Sequence, residues 1–66
     1  MTNEKRALIE SLAVEAERTR QHWFNLGLLN TAGRSAEERD QMTKDYAVAE
    51  ATWLEASAKL RSAQQP

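Results

Sequence analysis

Few side chains in this sequence are suited to catalysis. The chain contains one histidine, His22, and no cysteine, so it has no thiolate nucleophile, no disulfide and no ordinary histidine-rich metal site. No glutamate stands three positions before His22, so the Glu-x-x-His motif of di-metal helical bundles is absent. We therefore expect neither an enzyme activity nor a bound metal or other cofactor, and we expect His22 to lie at a surface or an interface.

The aromatic residues are better suited to binding. Trp23, Tyr46 and Trp53 each join a large apolar ring to a polar group, which suits both protein cores and the anchors of protein interfaces. The sequence leaves open whether all three lie in a core or one of them contacts a partner. Phe24 and Leu28, four positions apart, form an apolar pair that we expect to contact a second copy of the chain or another protein.

The arginines form a modest basic group, which consists of Arg18, Arg20, Arg34 and Arg39. One interpretation is a solvated face that is balanced by the acidic residues at 15, 17, 37 and 38; the other is a contact surface for an acidic protein or for RNA. The chain has nine basic and ten acidic side chains and a net charge of -1. Nucleic-acid binding without sequence preference needs a clear basic excess, so this balance disfavours it.

Two helices are predicted to position these residues. Good helix formers dominate, both glycines fall within 27–33, and the single proline is the last residue. We predict one all-α domain, 1–66, that folds as an antiparallel helical hairpin with helices at about 3–31 and 36–63 and a frayed tail at about 63–66. Gly33 suits the left-handed end of the first helix, and Ser35 with Glu38 forms a capping-box pattern. Gly27 either permits close helix approach or marks a weak point in the first helix.

Residues at three- and four-residue spacing define one side of each helix, which we call the interhelical seam. Its predicted positions are Ile9, Leu12, Ala16, Thr19, Trp23, Leu26, Asn30, Met42, Tyr46, Ala49, Trp53, Ala56, Leu60 and Ala63. A fold about Gly33 predicts that Trp23 lies opposite Met42. It also predicts that Tyr46 lies opposite Thr19 and Ala16, and that Trp53 lies near Leu12 and Ala16. Ion pairs on the helix surfaces are predicted for Glu17–Arg20, Asp40–Lys44 and Glu55–Lys59.

One seam between two helices is a small core for a chain of this length. Scaffolds of this size usually need disulfides, a bound metal or oligomerisation. The chain has no cysteine for a disulfide and lacks the cysteine and histidine residues of an ordinary metal site. We therefore predict a homodimer in which two hairpins form a four-helix bundle. The apolar residues that would broaden the contact face are Leu8, Ala13, Leu29, Ala47 and Leu54.

Location follows from the absence of apolar runs. No run approaches the ~20 residues that span a bilayer, and the charged start of the sequence does not match a signal peptide. We expect a cytoplasmic protein without membrane contact.

The helical-hairpin architecture, the "GRSAEE" turn and cap, and the aromatic residues Trp23, Tyr46 and Trp53 resemble three kinds of small bacterial and phage proteins. The first is the ROP-like plasmid copy-number regulator, a hairpin dimer that binds paired RNA loops. The second is the hairpin co-chaperone of type III secretion needle subunits. The third is the group of small anti-activators that bind LuxR-type quorum-sensing regulators, including a phage-encoded example that also blocks a type IV pilus assembly ATPase.

The third resemblance fits a small, nearly neutral chain with surplus apolar surface. It implies a non-enzymatic phage or bacterial inhibitor that occludes a host regulator, such as a LuxR-type transcription factor or a pilus assembly ATPase. The residues expected to contact this partner are Arg18, Phe24, Leu28, Arg34, Arg39, Tyr46 and Trp53. The ROP-like alternative implies phosphate contacts by Arg18, Arg20, Arg39 and Lys44, and the secretion co-chaperone remains a further alternative.

Overall fold

Two α-helices make up the fold. The computed structural model describes residues 2–65, in which α1 spans Asn3–Gly27 and α2 spans Ala36–Gln64. The helices pack against each other as a hairpin, and no strand occurs within that range. The molecule is an elongated rod of 52 × 13 × 12 Å. The all-helical hairpin predicted from composition and periodicity is confirmed.

The interhelical seam lies where the three- and four-residue spacing places it. Every predicted seam position except Asn30 is buried or half-buried. The buried residues are all small or short side chains, namely Ala16, Thr19, Ala49 and Ala56. The bulkier seam residues remain partly exposed, and among residues 2–65 no large side chain is fully buried. The hairpin therefore has a thin core, centred on contacts between small residues.

The end of α1 differs from the prediction. The helix stops at Gly27 instead of continuing to Thr31. The backbone N–H of Leu28 donates to the carbonyl of Asn25 at 3.2 Å. This bond reaches back three residues instead of the four of a regular α-helix, as is common in a last helical turn. Because glycine weakens a helix by about 1 kcal/mol relative to alanine, Gly27 is a favourable place for α1 to end.

The segment 28–35 forms two successive turns. The side-chain Oδ1 of Asn30 accepts a hydrogen bond from the N–H of Ala32 at 2.9 Å, which offers the backbone an alternative to the helix. The N–H of Arg34 then donates to the carbonyl of Thr31 at 3.2 Å. Gly33, inside that turn, has φ +77°, the positive value that a type II turn requires there. Gly33 is left-handed as predicted, but it serves the loop and not the end of α1.

The predicted capping box at the start of α2 is confirmed. The hydroxyl of Ser35 accepts from the N–H of Glu38 at 3.1 Å, and the Glu38 carboxylate accepts from the N–H of Ser35 at 3.4 Å. These bonds satisfy donors that a helix start otherwise leaves unpaired. At its other end α2 continues through Ala63 to Gln64, and Pro66, part of the predicted frayed tail, lies outside the described residues.

Acid is expected to weaken this cap. Hydrogen bonds from the Ser35 backbone and from Arg34 lower the pKa of Glu38 below the usual glutamate value. The stabilisation is therefore complete above the unfolded-state pKa of about 4.3 and is lost as the pH falls through the lower folded-state pKa. Melting curves followed by circular dichroism should show Glu38→Gln melting below wild type at neutral pH, with the gap closing in acid. Glu37→Gln, which leaves the capping bonds intact, is the control; a gap that persists in acid would contradict this role.

The offset between the two helices also differs from the prediction. The backbone of Gly27 lies against the ring of Tyr46, so a Cβ placed on Gly27 would be 3.1 Å from Tyr46 Cε2. Trp23 stacks on Trp53 instead of lying opposite Met42. Measured at Tyr46, which lies against Gly27 and not Thr19, the pairing is displaced by eight residues, or ~12 Å at the rise of an α-helix. Because Gly27, the last residue of α1, lies beside Tyr46, the first turns of α2 extend past the end of α1. The segment 28–35 has to cover that extra length before α2 begins.

Candidate protein-binding surface

The residues predicted to contact a partner lie in three different settings. Phe24 and Leu28 are exposed near the loop end of the hairpin, whereas Tyr46 and Trp53 are half-buried in the interhelical seam. The three arginines are on the solvent-facing surface. The hairpin brings Phe24 and Leu28 next to Tyr46, because all three line one cleft.

The aromatic cluster joins the two helices across the interhelical seam. Trp23 and Trp53 stack with ring centroids 4.7 Å apart and planes at 10°, and the Trp23 centroid is 5.7 Å from that of Tyr46. Such pairs contribute roughly 0.5–1.5 kcal/mol beyond the area they bury. The cluster therefore favours the core interpretation for Trp23 and Trp53, while Tyr46 also borders an open cleft.

One polar atom in this cluster has no partner. The indole Nε1 of Trp23 is shielded from solvent, and no acceptor among residues 2–65 lies within hydrogen-bond distance. An unpaired buried donor costs roughly 1–3 kcal/mol. Trp23 is retained in the cluster despite this cost because its ring contacts both other aromatic rings.

Three of the exposed large apolar residues lie close together in the sequence near the loop. Phe24, Leu28 and Leu29, which we call the loop-end patch, have exposed fractions of 52%, 68% and 49%. They border two clefts that share Gly27 and Tyr46: Phe24 and Leu28 line one of about 270 Å³, and Leu29 lines the other, of about 420 Å³. A patch of three large apolar side chains around two clefts is the kind of surface that binds another protein.

Gly27 contributes to this surface in both of the ways that the sequence left open. Its missing side chain lets the ring of Tyr46 lie against the backbone, and α1 ends at the same residue. The two roles meet at one residue, and because α1 ends at Gly27, Leu29 lies in the loop, where it is exposed. Leu29 was expected to extend the seam as a helical residue, and that prediction is wrong because it lies in the loop.

The arginines are mostly neutralised by acidic neighbours on their own helix. Arg18 contacts Glu15 at 2.6 Å and Arg20 contacts Glu17 at 2.7 Å. The hydrogen bond that Arg20 donates lowers the pKa of the Glu17 carboxyl, and the two pairings raise the pKa values of Arg18 and Arg20. These pairs are exposed, so each stabilises the fold little, but each removes a net positive charge from the surface.

Arg34 and Lys44 are also paired with nearby carboxylates. Arg34 lies 3.4 Å from Glu38, and Lys44 lies 3.0 Å from Asp40. Arg39, which lines the larger loop-end cleft, has no ion pair among the described residues. The three ion pairs predicted from helix spacing, Glu17–Arg20, Asp40–Lys44 and Glu55–Lys59, are all present.

His22 and the carboxylates are the side chains that could serve catalysis or metal binding. His22 is exposed and borders a groove with Glu15 and Asp45. Within residues 2–65 no three histidine or carboxylate side chains converge on a point where a metal ion would fit. Neither α1 nor α2 has the length and apolar character needed to cross a membrane.

A second surface feature was not foreseen from the sequence. The face of the hairpin that carries His22 also carries a long groove with Val48 and Thr52 on its border. Thr19 and Ala49, the short side chains at the bottom of the groove, are the sequence feature that indicates it. Their spacing alone identifies them only as seam positions. Whether small seam residues leave a groove depends on the offset between the helices, which the sequence did not define.

Comparison of the chain with models of protein families, with curated proteins and with solved structures gives no match.

Proposed function

We propose that this chain is a non-enzymatic protein-binding module that acts by covering a surface of another protein. The observation that carries the proposal is the loop-end patch, where Phe24, Leu28 and Leu29 are exposed around clefts that share Gly27 and Tyr46. Exposed side chains of this size are costly to leave in water, and burying each fully is worth roughly 1.5–3 kcal/mol. A partner that covers the patch recovers that free energy.

The surroundings of the patch support protein recognition more than recognition of a small molecule. Both clefts are shallow, and Arg39 with Thr43 provides polar groups at the border of the larger one. An apolar centre with a polar rim is the usual layout of a protein interface, and aromatic and arginine residues supply most of its binding energy. Phe24 and Leu28 are the proposed anchors, Tyr46 forms the wall between the clefts, and Arg34 and Arg39 are the proposed rim contacts.

The proposed target is a regulatory protein in a bacterial cytoplasm. This part of the proposal is based on the resemblance to small phage and bacterial anti-activators, whose partners include LuxR-type transcription factors and a pilus assembly ATPase. Stoichiometric occlusion needs an apolar contact surface and no catalytic group, and the exposed loop-end patch supports such a role. Arg18 and Trp53, the other predicted contacts, lie outside the patch, so we give them no part in this interface.

We also propose that the working form is a homodimer, as a four-helix bundle of two hairpins. A monomeric protein of 7.5 kDa is expected to expose about 4,200 Å², whereas this chain exposes 5260 Å². The excess of about 1,000 Å² is similar to the ~800 Å² that each partner buries in an interface of standard size. The thin core of the hairpin supports the same conclusion.

Binding of RNA is less well supported. Of the residues that would contact phosphates, Arg18, Arg20 and Lys44 are already paired with carboxylates on the same helix. An RNA-binding face needs these charges free along one surface. If RNA is nevertheless bound, its affinity should fall steeply with salt, and absence of binding at low salt would remove this alternative.

The test of the proposal is capture of partners by tagged protein, followed by titration of the captured protein with variants. Phe24→Ala and Leu28→Ala are each expected to weaken binding at least about tenfold, because truncating an anchor costs 1–2 kcal/mol or more. The matched control is Val14→Ala: Val14 is 68% exposed, as Leu28 is, but lines neither of the loop-end clefts. Equal loss in the control, or unchanged binding by a Phe24→Ala, Leu28→Ala double variant, would contradict the proposal.

A further inference from the structure

A continuous groove follows the interhelical seam on one face of the hairpin. Two cavities make up the groove, and they are joined because Glu15 and Thr52 line both. One cavity reaches Leu26 and the other reaches Leu12. Those two residues of α1 are separated by ~21 Å along a helix at the standard rise. The groove is thus long enough to hold several turns of another helix.

The bottom of the groove is formed by small side chains. Thr19 and Ala49 line one cavity and Ala56 lines the other, and these three are buried. Val48, which is exposed, stands on the border. The surface is therefore apolar at its centre and shallow enough for the backbone of a helix to approach closely, since interhelical distance is set by the side chains at the contact.

The two rims of the groove carry opposite charges at one height. Glu15 on α1 and Lys59 on α2 line the same cavity, and the contact of Gly27 with Tyr46 places Ala58, next to Lys59, opposite Glu15 in the antiparallel pair. Each of the two charges also has a partner on its own helix, Arg18 for Glu15 and Glu55 for Lys59. A two-fold axis that runs along the groove exchanges the rims and preserves height, so that Glu15 of each copy faces Lys59 of the other.

We propose that the occupant of this groove is a second copy of the chain. A self-complementary surface is what an isologous interface requires, and the excess exposed area of about 1,000 Å² matches what one such interface buries per chain. This inference rests on the proposed homodimer and specifies its face and symmetry. In this arrangement both hairpin loops lie at the same end of the dimer, and the loop-end patch stays open for a different protein.

The first test is the mass of a variant with a charge in the middle of the groove. Thr52 is exposed and lines both cavities, so Thr52→Arg places a long cation between the copies without entering the seam. Sedimentation equilibrium should give wild type twice the 7.5 kDa of one chain. Thr52→Arg should approach the mass of a single chain, with a dimer dissociation constant raised at least about tenfold, because a long side chain above the small residues of the groove keeps the two copies apart.

The chain offers a matched control for that substitution. Thr43 is also exposed on α2, and like Thr52 its hydroxyl donates to the carbonyl four residues earlier, at 3.0 Å against 2.9 Å. At 3.6 residues per turn the two threonines point to roughly opposite sides of α2. Thr43→Arg should therefore remain dimeric. Circular dichroism of both variants establishes that helix content is retained.

Exchanging the charges on the two rims tests the two-fold symmetry of the dimer, with no substitution in the middle of the groove. Lys59→Glu should weaken the dimer, and Glu15→Lys combined with Lys59→Glu should restore it at least in part, because each copy again presents opposite charges to the other. A monomeric wild type, or a Thr52→Arg variant that stays dimeric while Phe24→Asp becomes monomeric, would overturn the groove assignment. Partner capture by a monomeric wild type would leave the protein-binding function standing, so the two proposals fail separately.

Discussion

Trp23→Ala is expected to lower the free energy of unfolding by about 3 kcal/mol, at the lower end of the range for removing a large aromatic side chain from a core. The residue is only half-buried, which reduces the loss, but its ring contacts both Trp53 and Tyr46 across the seam. Both contacts vanish together in the variant. A single core in a chain this small supplies at most about 3–5 kcal/mol, so we expect a largely unfolded protein in dilute solution, measured by urea denaturation with circular dichroism.

Two comparisons make this prediction specific. Phe24→Ala removes the adjacent aromatic residue, but Phe24 is exposed, so the change in unfolding free energy should stay within about 0.5 kcal/mol. Trp23→Phe keeps a ring in the cluster and removes the indole N–H that has no acceptor among the described residues, so it should cost much less than alanine. A larger loss for Phe24→Ala than for Trp23→Ala would show that the cluster does not stabilise the hairpin.

Periodicity was enough to predict which residues form the interhelical seam. Burial of Ala49 and Ala56 on α2, and of Ala16 and Thr19 on α1, follows from the three- and four-residue spacing alone. The capping box at Ser35 was equally predictable, because its hydrogen bonds connect residues three positions apart. These features are local, and each depends on neighbours within one or two helical turns.

The offset between the helices was not predictable in the same way. It is set by where α1 ends and by how the loop returns, and those depend on the Asn30 side-chain bond, the positive φ of Gly33 and the contact of Tyr46 with Gly27. The seam spacing recurs every seven residues, so it permits several offsets about one heptad apart. The displacement of eight residues at Tyr46 is close to one heptad.

The candidate site likewise has one part that the sequence predicts and one part that depends on the offset between the helices. Exposure of Phe24 and Leu28 could be predicted because neither residue is at a seam position. The clefts around them could not, since these depend on Gly27 meeting Tyr46 and on Leu29 leaving the helix. The groove on the other face has the same origin, because the offset determines that Glu15 and Lys59 stand at one height.

The melting temperature is expected to rise with protein concentration, because the dimer interface contributes to the stability of the folded chain. A hundredfold increase in concentration above the dissociation constant adds about 2.7 kcal/mol by mass action. For a chain of this size 1 kcal/mol corresponds to roughly 4–8 °C, so the shift should be on the order of 10 °C. Melting curves of wild type followed by circular dichroism over a hundredfold range of concentration measure it directly.

The same experiment on Thr52→Arg separates the stability of the hairpin from that of the dimer. If the groove is the dimer face, the variant should melt at one temperature at every concentration, close to the value that wild type approaches on dilution. Thr43→Arg should retain the full concentration dependence. A wild-type melting temperature that is independent of concentration would mean that the seam and its aromatic cluster stabilise the hairpin alone, and the exposed area of 5260 Å² would then belong to a stable monomer.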